Sequence, residues 1–186
     1  MCHGSQDAAE ARKNVHVNAH IARLRWWEIR EVAAWDQRIF GSEAWSEEFF
    51  WSQMATPGVY CAALRTVPPA SRAGETTRAR KTGQSGVDGV EPHILAGYGV
   101  VAVAGHQADI VTIAVVPDYQ GWGYGAQLLD HLIDHTRQFS VEAVYLEVAE
   151  NNTAAQALYT SRGFETLGRR AGYYSGTDAL RMRVLV

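Results

Sequence analysis

Cysteine is scarce in this chain, and no long apolar run occurs in it. The two cysteines, Cys2 and Cys61, are too few for the disulfide framework that holds small secreted domains together. No apolar stretch approaches the roughly 18 residues of a membrane span, and the first residues lack the charged and apolar regions of a secretory signal. We therefore expect a cytoplasmic protein without a membrane partner.

An excess of positive charge is also missing. The formal net charge is -3 over 186 residues, whereas a protein that neutralises nucleic-acid phosphates needs a basic surface. We therefore expect no direct contact with nucleic acid. The length suits one domain with a sizeable core, and the composition is ordinary for a soluble globular protein.

Two stretches lack the apolar periodicity of packed elements. Residues 1–20 are polar, and we predict a disordered extension there. Residues from about 65 to 92 are rich in Pro, Gly, Ser, Thr and charge, and they lie between two predicted strands, Val59–Leu64 and Ile94–Ala104. We predict a flexible insertion. Its basic residues could contact nucleic acid, but a solvated loop is the favoured interpretation. The folded domain is therefore expected to span residues 21–186.

The segment before the insertion predicts one strand and two helices. Ile21–Arg25 has the composition of a strand, and Trp26–Phe40 has apolar residues at helical spacing. The candidate buried positions of this helix are Trp27, Ile29, Val32, Ala33 and Ile39. Ser46 can cap a second helix that carries two carboxylates in its first turn. We expect Phe49 and Phe50 of that helix to fill the core.

The most informative stretch is a strand that continues through a glycine-rich loop into a helix. Ile110–Val116 is apolar and rich in β-branched residues, and Pro117 ends it because proline has no N–H to donate. Glycine occupies every second position from Gly121 to Gly125, before apolar residues recur at helical spacing. Such a loop presents unpaired N–H groups at the positive end of a helix dipole, which predicts a phosphate or pyrophosphate site. A tight turn without a ligand explains the loop alone equally well.

A second strand and a second helix follow. Val144–Val148 alternates, so that Tyr145 and Glu147 face away from its apolar residues. A glutamate in mid-strand lies on a solvated face or in a cleft, and the residues alone favour the solvated face. Asn152 is a natural N-cap for the next helix. Alternating apolar and arginine residues at 180–186 predict a last strand with one solvated face.

In these motifs the chain resembles the GNAT superfamily of acetyl-CoA-dependent N-acetyltransferases, and most of all its RimI-like members, which acetylate the N-terminal amine of a ribosomal protein. The family's pyrophosphate signature, Gln/Arg-x-x-Gly-x-Gly/Ala, is matched by Gln120-Gly121-Trp122-Gly123-Tyr124-Gly125. The strand end Ile113-Ala114-Val115 is similar to the RimI-like one. Further matches follow in order: Leu146-Glu147-Val148, Asn152, Ala155, Leu158-Tyr159, Gly163-Phe164 and Tyr173-Tyr174.

The resemblance implies an α/β fold in a single domain, with a mixed, mostly antiparallel sheet and helices on both faces. It implies that acetyl-CoA donates an acetyl group to the N-terminal α-amine of a protein, with a ribosomal protein as the expected partner, by direct attack without a covalent intermediate. Glu147 would act as the base and Tyr159 as the acid, and the N–H of Val115 would stabilise the oxyanion. The residues implied to bind acetyl-CoA are Ile113, Ala114, Val115, Gln120, Gly121, Trp122, Gly123, Tyr124, Gly125, Ala126, Asn152 and Tyr159.

Other interpretations stay open at this stage. The acceptor could instead be a lysine side chain or a small-molecule amine, and a module that binds CoA or a partner without catalysis is a further class. The loop also fits the Gly-x-Gly-x-x-Gly/Ala pattern of dinucleotide-binding folds. In that fold the strand turns at once into the first glycine, whereas Pro117 to Gln120 intervene here.

Two histidines could suggest a metal site. His131 and His135 are four residues apart on a predicted helix, as a pair of metal ligands can be. No third ligand follows at a useful spacing, so surface histidines are the favoured interpretation. We expect no metal ion.

Overall fold

One mixed β-sheet forms the centre of the protein in the computed structural model, which describes residues 19–67, 93–174 and 176–186. Within these ranges seven strands form the sheet, and four α-helices pack against it. The strands are β1 (Ala19–Arg23), β2 (Val59–Thr66), β3 (Ile94–Ala104), β4 (Gln107–Val115), β5 (Ala143–Ala149), β6 (Glu165–Tyr174) and β7 (Thr177–Leu185). The helices are α1 (Ile29–Phe40), α2 (Glu47–Ala55), α3 (Tyr124–Thr136) and α4 (Thr153–Thr160).

The strand order is β1-β2-β3-β4-β5-β7-β6. Every neighbouring pair is antiparallel except β4 and β5, which are parallel. This confirms the predicted mixed, mostly antiparallel sheet. It is incompatible with the dinucleotide-binding fold, whose sheet consists mostly of parallel strands joined by helices.

The parallel strands β4 and β5 separate part-way along their length. Only the first four residues of β4, Gln107–Ile110, pair with β5. Directly afterwards the register between β4 and β3 shifts at Val111, which has no partner on β3 and forms a β-bulge. A bulge bends its strand and increases the local twist. The rest of β4 therefore diverges from β5, and a cleft opens between them.

Helices cover both faces of the sheet. On one face α3 and α4 pack through a core that contains Leu128 and Tyr159. On the other face α1 and α2 pack through a second core that contains Ile29 and Phe50. No helix in the described ranges combines the length and the apolar character needed to cross a membrane.

The predicted helix caps are confirmed. Ser46 accepts a hydrogen bond from the first turn of α2 (3.3 Å), and Asn152 does the same for α4 (3.1 Å). Beyond α4, Gly163 has a φ of +82°, and the N–H of Phe164 donates to the carbonyl of Tyr159 (3.1 Å). This is the Schellman arrangement, in which glycine takes the left-handed conformation at low cost.

The structure shifts two predicted boundaries. Strand β1 begins at Ala19 and ends at Arg23, so it runs two residues earlier than expected. Strand β2 extends to Thr66, so Arg65 does not belong to an insertion. Its buried guanidinium pairs with the carboxylate of Glu28 (Nε–Oε1 2.6 Å), which offsets the cost of burying the charge. Most of the predicted extension and insertion, at 1–18 and 68–92, lies outside the described residues.

Two predicted core positions are wrong. Val32 and Phe50 are fully buried as expected, but Trp27 is 59% exposed and Phe49 is 37% exposed. Trp27 lies in a short 3-10 helix at 26–28, where α-helical spacing does not apply. Phe49 packs instead against the ring of Trp45, with 4.1 Å between ring centroids, on the outside of α2.

Candidate active site

The glycine-rich loop exposes backbone donors at the N-terminus of α3. Gly121 and Gly123 have φ values of +79° and +77°, which a residue with a Cβ adopts only at a cost. The first backbone bond of the helix runs from the N–H of Gln127 to the carbonyl of Gly123 (3.1 Å). The N–H groups at 124–126 therefore have no acceptor within the helix. Together with the helix dipole, they form a site suited to a pyrophosphate.

This loop forms one wall of a pocket of about 520 Å3, which we call the loop pocket. The predicted cosubstrate residues that line it are Ile113, Ala114, Val115, Gln120, Gly121, Gly123, Tyr124, Gly125, Ala126, Asn152 and Tyr159. Trp122 does not line the pocket, because its ring stacks against Tyr124 and packs on the core. Ile39 and Phe40, at the end of α1, also line it, and no local sequence signal indicates them.

The diverging end of β4 presents its backbone to the cleft. The N–H of Val116 donates to the carbonyl of Ala96 on β3 (2.9 Å). Successive N–H groups of a strand point to opposite sides, so the N–H of Val115 points away from β3. The Gln120 side chain donates to the carbonyl of Val115 (Nε2–O 3.0 Å), which fixes the loop against the strand. The residue predicted to stabilise an oxyanion thus has its N–H directed into the cleft.

Tyr159 lies on α4, where the loop pocket meets the cleft. The residue is buried, and Phe164 packs against its ring with 5.8 Å between centroids. Burial raises the pKa of the Tyr159 hydroxyl to about 12, and the nearby Tyr174 contributes to the shift. The hydroxyl is therefore protonated at neutral pH and available as a proton donor.

Glu147 lies on β5 and faces the opposite side of the sheet. Its neighbours Leu146 and Val148 belong to the core beneath α3 and α4, so Glu147 points towards the side of α1 and α2. Its carboxylate accepts a hydrogen bond from Arg170 (Nη1–Oε1 3.3 Å), and its charge helps to raise the pKa of the nearby Tyr173 hydroxyl, behind the larger effect of burial. The side chain is 26% exposed. This glutamate therefore lies in a cleft rather than on an open, solvated face.

Glu147 and Tyr159 line the same space from opposite faces of the sheet. A central cleft of about 470 Å3 occupies the gap between the diverging strands, and both side chains line it. The central cleft shares Tyr159 with the loop pocket. It shares Glu147 with a third pocket of about 400 Å3, which we call the outer pocket. The three spaces therefore adjoin one another from one face of the sheet to the other, and we refer to them together as the passage through the sheet.

The outer pocket has walls of aromatic and charged side chains. Its polar and aromatic members are Trp45, Asp109, Tyr145, Glu147, Arg170, Tyr173, Tyr174 and Arg181. Tyr173 and Tyr174 lie at the end of β6. The Tyr174 hydroxyl donates to the backbone carbonyl of Glu147 (3.4 Å), and the Arg170 guanidinium lies 4.4 Å from the centre of the Tyr173 ring. These contacts place the end of β6 over the candidate base.

Asp36 holds one wall of the outer pocket in place. Its carboxylate is buried and accepts hydrogen bonds from the backbone N–H of Trp45 (2.6 Å) and the hydroxyl of Tyr98 (2.7 Å). Burial raises the pKa of the Asp36 carboxyl, while both hydrogen bonds oppose that shift. The two bonds tie the connection between α1 and α2 to β3. Trp45 is thereby fixed at the mouth of the outer pocket.

The two histidines of α3 lie away from this passage. The Tyr60 hydroxyl is 3.0 Å from Nε2 of His131, and the Tyr60 ring stacks on His135 with 3.9 Å between centroids. In the part of the chain that the structure describes, no group of three His, Cys, Asp or Glu residues is arranged to hold a metal ion. The contacts of His131 and His135 with Tyr60 indicate that the two histidines pack α3 against β2.

Comparison with known proteins identifies relatives with the same motifs. A family model described as the Acetyltransferase (GNAT) family matches residues 26–164. Over 84 residues the chain is 43% identical to the ribosomal protein bS18-alanine N-acetyltransferase of Escherichia coli, covering 45% of this chain and 57% of that protein. Over 95 residues it is 44% identical to the N-alpha-acetyltransferase RimI of Mycobacterium tuberculosis, covering 48% and 58%. The matched segment thus spans little more than half the length of these relatives.

Solved structures share the architecture over most of the chain. The ribosomal-protein-S18-alanine N-acetyltransferase from Escherichia coli matches with a TM-score of 0.69 and 28% identity, over 91% of this chain and 94% of that one. Arabidopsis thaliana NAA60, in complex with a bisubstrate analogue, matches with a TM-score of 0.70 over 90% and 98%. Its 18% identity shows a common fold alone. Because the family model covers well over half of the chain, the protein belongs to the GNAT family of acetyltransferases.

Proposed function

We propose that the protein transfers an acetyl group from acetyl-CoA to the α-amine at the N-terminus of a protein. The observation that carries this proposal is the passage through the sheet. Backbone N–H groups suited to bind an anion lie at one end of it, and the Glu147 carboxylate lies at the other. Two substrates can enter such a passage from opposite sides and meet between β4 and β5. A module that only binds CoA, without catalysis, does not need a second opening on the other face of the sheet.

The loop pocket is the proposed site of acetyl-CoA. The N–H groups at 124–126 and the positive-φ glycines Gly121 and Gly123 suit the pyrophosphate. The apolar wall along Ile113 and Leu158 suits the uncharged arm that carries the thioester. The thioester carbonyl would then lie along β4, where the N–H of Val115 can stabilise the developing oxyanion.

The proposed chemistry is a direct attack of the amine on the thioester. Glu147 accepts a proton from the acceptor amine as the new N–C bond forms, and the C–S bond breaks as the tetrahedral adduct collapses. Tyr159 donates its hydroxyl proton to the departing sulfur. The raised pKa of Tyr159 supports this role, because the hydroxyl keeps its proton until a basic thiolate develops beside it.

An α-amine is the favoured acceptor for a site with one carboxylate as its base. An α-amine titrates near 8 and a lysine amine near 10.4, so at neutral pH the α-amine is deprotonated several hundred times more often. The names of the relatives in Escherichia coli and Mycobacterium tuberculosis also support an N-terminal acceptor. By extension from the first of these, we propose the N-terminus of a ribosomal protein as the physiological acceptor.

Two matched peptides test the acceptor. One has a free N-terminus and no lysine. The other differs from it only in an acetylated N-terminus and in one internal residue, which is replaced by lysine. With acetyl-CoA present, we expect the first peptide to be acetylated at least ~10-fold faster, because of its larger neutral fraction. Faster acetylation of the second peptide would make the protein a lysine acetyltransferase. Turnover of a small polyamine with neither peptide modified would make it a small-molecule acetyltransferase.

A further inference from the structure

We propose that Asp109 selects acceptors by binding a basic side chain close to the acceptor's N-terminus. This inference rests on the proposed function, because it assigns a specificity-determining residue to the pocket that would receive the acceptor. Asp109 lines the outer pocket together with Glu147. The two carboxylates lie on neighbouring strands, β4 and β5, and face the same side of the sheet.

The separation between the two carboxylates suits a short peptide segment. Asp109 pairs with Tyr145 in the parallel register, so Glu147 lies two residues further along β5. At about 3.3 Å per residue and about 4.8 Å between strands, their Cα atoms are about 8 Å apart. An acceptor whose amine reaches Glu147 would therefore place the side chain of its second or third residue beside Asp109.

The Asp109 carboxylate has no direct polar partner among the residues that the structure describes, although the charge of Arg181 acts on it through space. That carboxylate accepts no hydrogen bond and forms no direct ion pair there, whereas Glu147 is held by Arg170 at 3.3 Å. The nearest compensating cation, Arg181, lies over the ring of Tyr145, 5.0 Å from its centroid, and acts on Asp109 only through space. The Asp109 carboxylate is thus solvent-exposed in the wall of the pocket.

The carboxylates of Asp109 and Glu147 both attract a cation to this position. Desolvation by the pocket wall raises the pKa of the Asp109 carboxyl, Arg181 lowers it in part, and Glu147 raises it further. Arg170 and Arg181 are already engaged with aromatic rings and, for Arg170, with Glu147. A lysine or arginine side chain from the acceptor would supply the charge that Asp109 lacks. An acidic side chain would have to approach two carboxylates.

The test compares three peptides that differ only at their second residue, which is Lys, Gln or Glu. The kcat/KM of each is measured for the unchanged protein, for Asp109→Asn, and for Asp134→Asn as the matched control. Asp134 is an exposed carboxylate on α3 that lines none of the three spaces. We expect the unchanged protein and the control to prefer Lys over Gln by about fivefold, in the range of a partly exposed charge pair. Asp109→Asn should remove that preference and bring the Lys-to-Gln ratio of kcat/KM close to one.

The outcomes separate this inference from the proposed function. A Lys-to-Gln ratio near one in the unchanged protein at both the second and the third residue, or a preference that Asp109→Asn leaves unaltered, would overturn the role of Asp109 while the protein still acetylates N-termini. A preference for the Glu peptide would assign the pocket to Arg181 instead and would equally overturn it. Moving the Lys to the third residue, with the same variants, covers the other position that strand spacing allows. Failure of every peptide to be acetylated would overturn the proposed function, and this inference with it.

Discussion

The loop pocket is built mainly from backbone, whereas the outer pocket is built from side chains. The first consists largely of two short segments, at 113–126 and 152–159, and the N–H groups proposed to bind the pyrophosphate lie at the start of α3. The second collects Trp45, Asp109, Glu147, Arg170 and Arg181 from five separate parts of the chain. A backbone site keeps its geometry when side chains change, and a side-chain site does not. The two pockets should therefore respond very differently to substitution.

The largest expected effect is in the central cleft, which lies between the two pockets. Glu147→Gln and Tyr159→Phe should each lower turnover by ~10²-fold or more, the range of a lost general base or acid. Affinity for acetyl-CoA, measured by titration calorimetry, should change little because neither change touches the glycine loop. Glu142→Gln, at an exposed carboxylate before β5, is the matched control and should keep normal turnover. Near-normal turnover in both active-site variants would make these residues structural.

The next effect should be confined to the outer pocket. Asp36→Ala removes the acceptor of both Trp45 and Tyr98 and leaves one partly buried and one buried donor without a partner. At about 1–3 kcal/mol for each donor, we expect a loss in unfolding free energy of about 3 kcal/mol in urea titrations. The KM for a peptide acceptor should rise, while the dissociation constant of acetyl-CoA stays constant.

Tyr98→Phe provides the comparison for that experiment. It deletes one of the two hydrogen bonds but leaves the bond between Asp36 and Trp45 intact. We expect a loss in unfolding free energy of about 1 kcal/mol and an unchanged acceptor KM. An acceptor KM that rises equally in both variants would show that the effect reflects general destabilisation and not the position of Trp45.

The last expected effect lies in the loop pocket and falls on the binding of acetyl-CoA. Gly123→Ala places a Cβ at a φ of +77°, at a cost of about 1–2 kcal/mol in the left-handed region. The loop can relieve this strain only by turning its N–H groups, so the affinity for acetyl-CoA should fall while the acceptor KM stays the same. Gly168→Ala is the control, since its φ is ordinary and its added Cβ meets no atom within 4 Å. Unaltered acetyl-CoA binding in Gly123→Ala would show that the loop does not hold the anion.

The same difference explains what the sequence could predict. The glycine loop, the Asn152 cap and the apolar strand before Pro117 depend on neighbours in the chain, and the structure has them close to the expected places. By contrast, Asp36 and its partner Tyr98 are 62 residues apart in the sequence, and Arg65 and its partner Glu28 are 37 residues apart. Local periodicity carries no information about such pairs.

Periodicity also cannot separate a core aromatic from one at a pocket mouth. Phe49 and Phe50 are adjacent in α2, yet one is 37% exposed and the other is fully buried. Both rings contact Trp45, Phe49 edge-to-face with 4.1 Å between centroids and Phe50 at a tilt with 5.7 Å between centroids. The position of Trp45 depends in turn on the buried carboxylate of Asp36.

The bulge at Val111 has a consequence for the order of events in a catalytic cycle. Because the cleft beside it lies between the two faces of the sheet, the proposed substrates, acetyl-CoA and the acceptor peptide, enter from opposite faces. Neither substrate or its product therefore needs to leave before the other substrate binds. Initial-rate kinetics should then show intersecting lines, the signature of a ternary complex, and not the parallel lines of a ping-pong scheme. The acetylated product would dissociate through the outer pocket, beside Trp45, while free CoA still occupies the loop pocket. Inhibition by CoA should consequently be competitive towards acetyl-CoA alone.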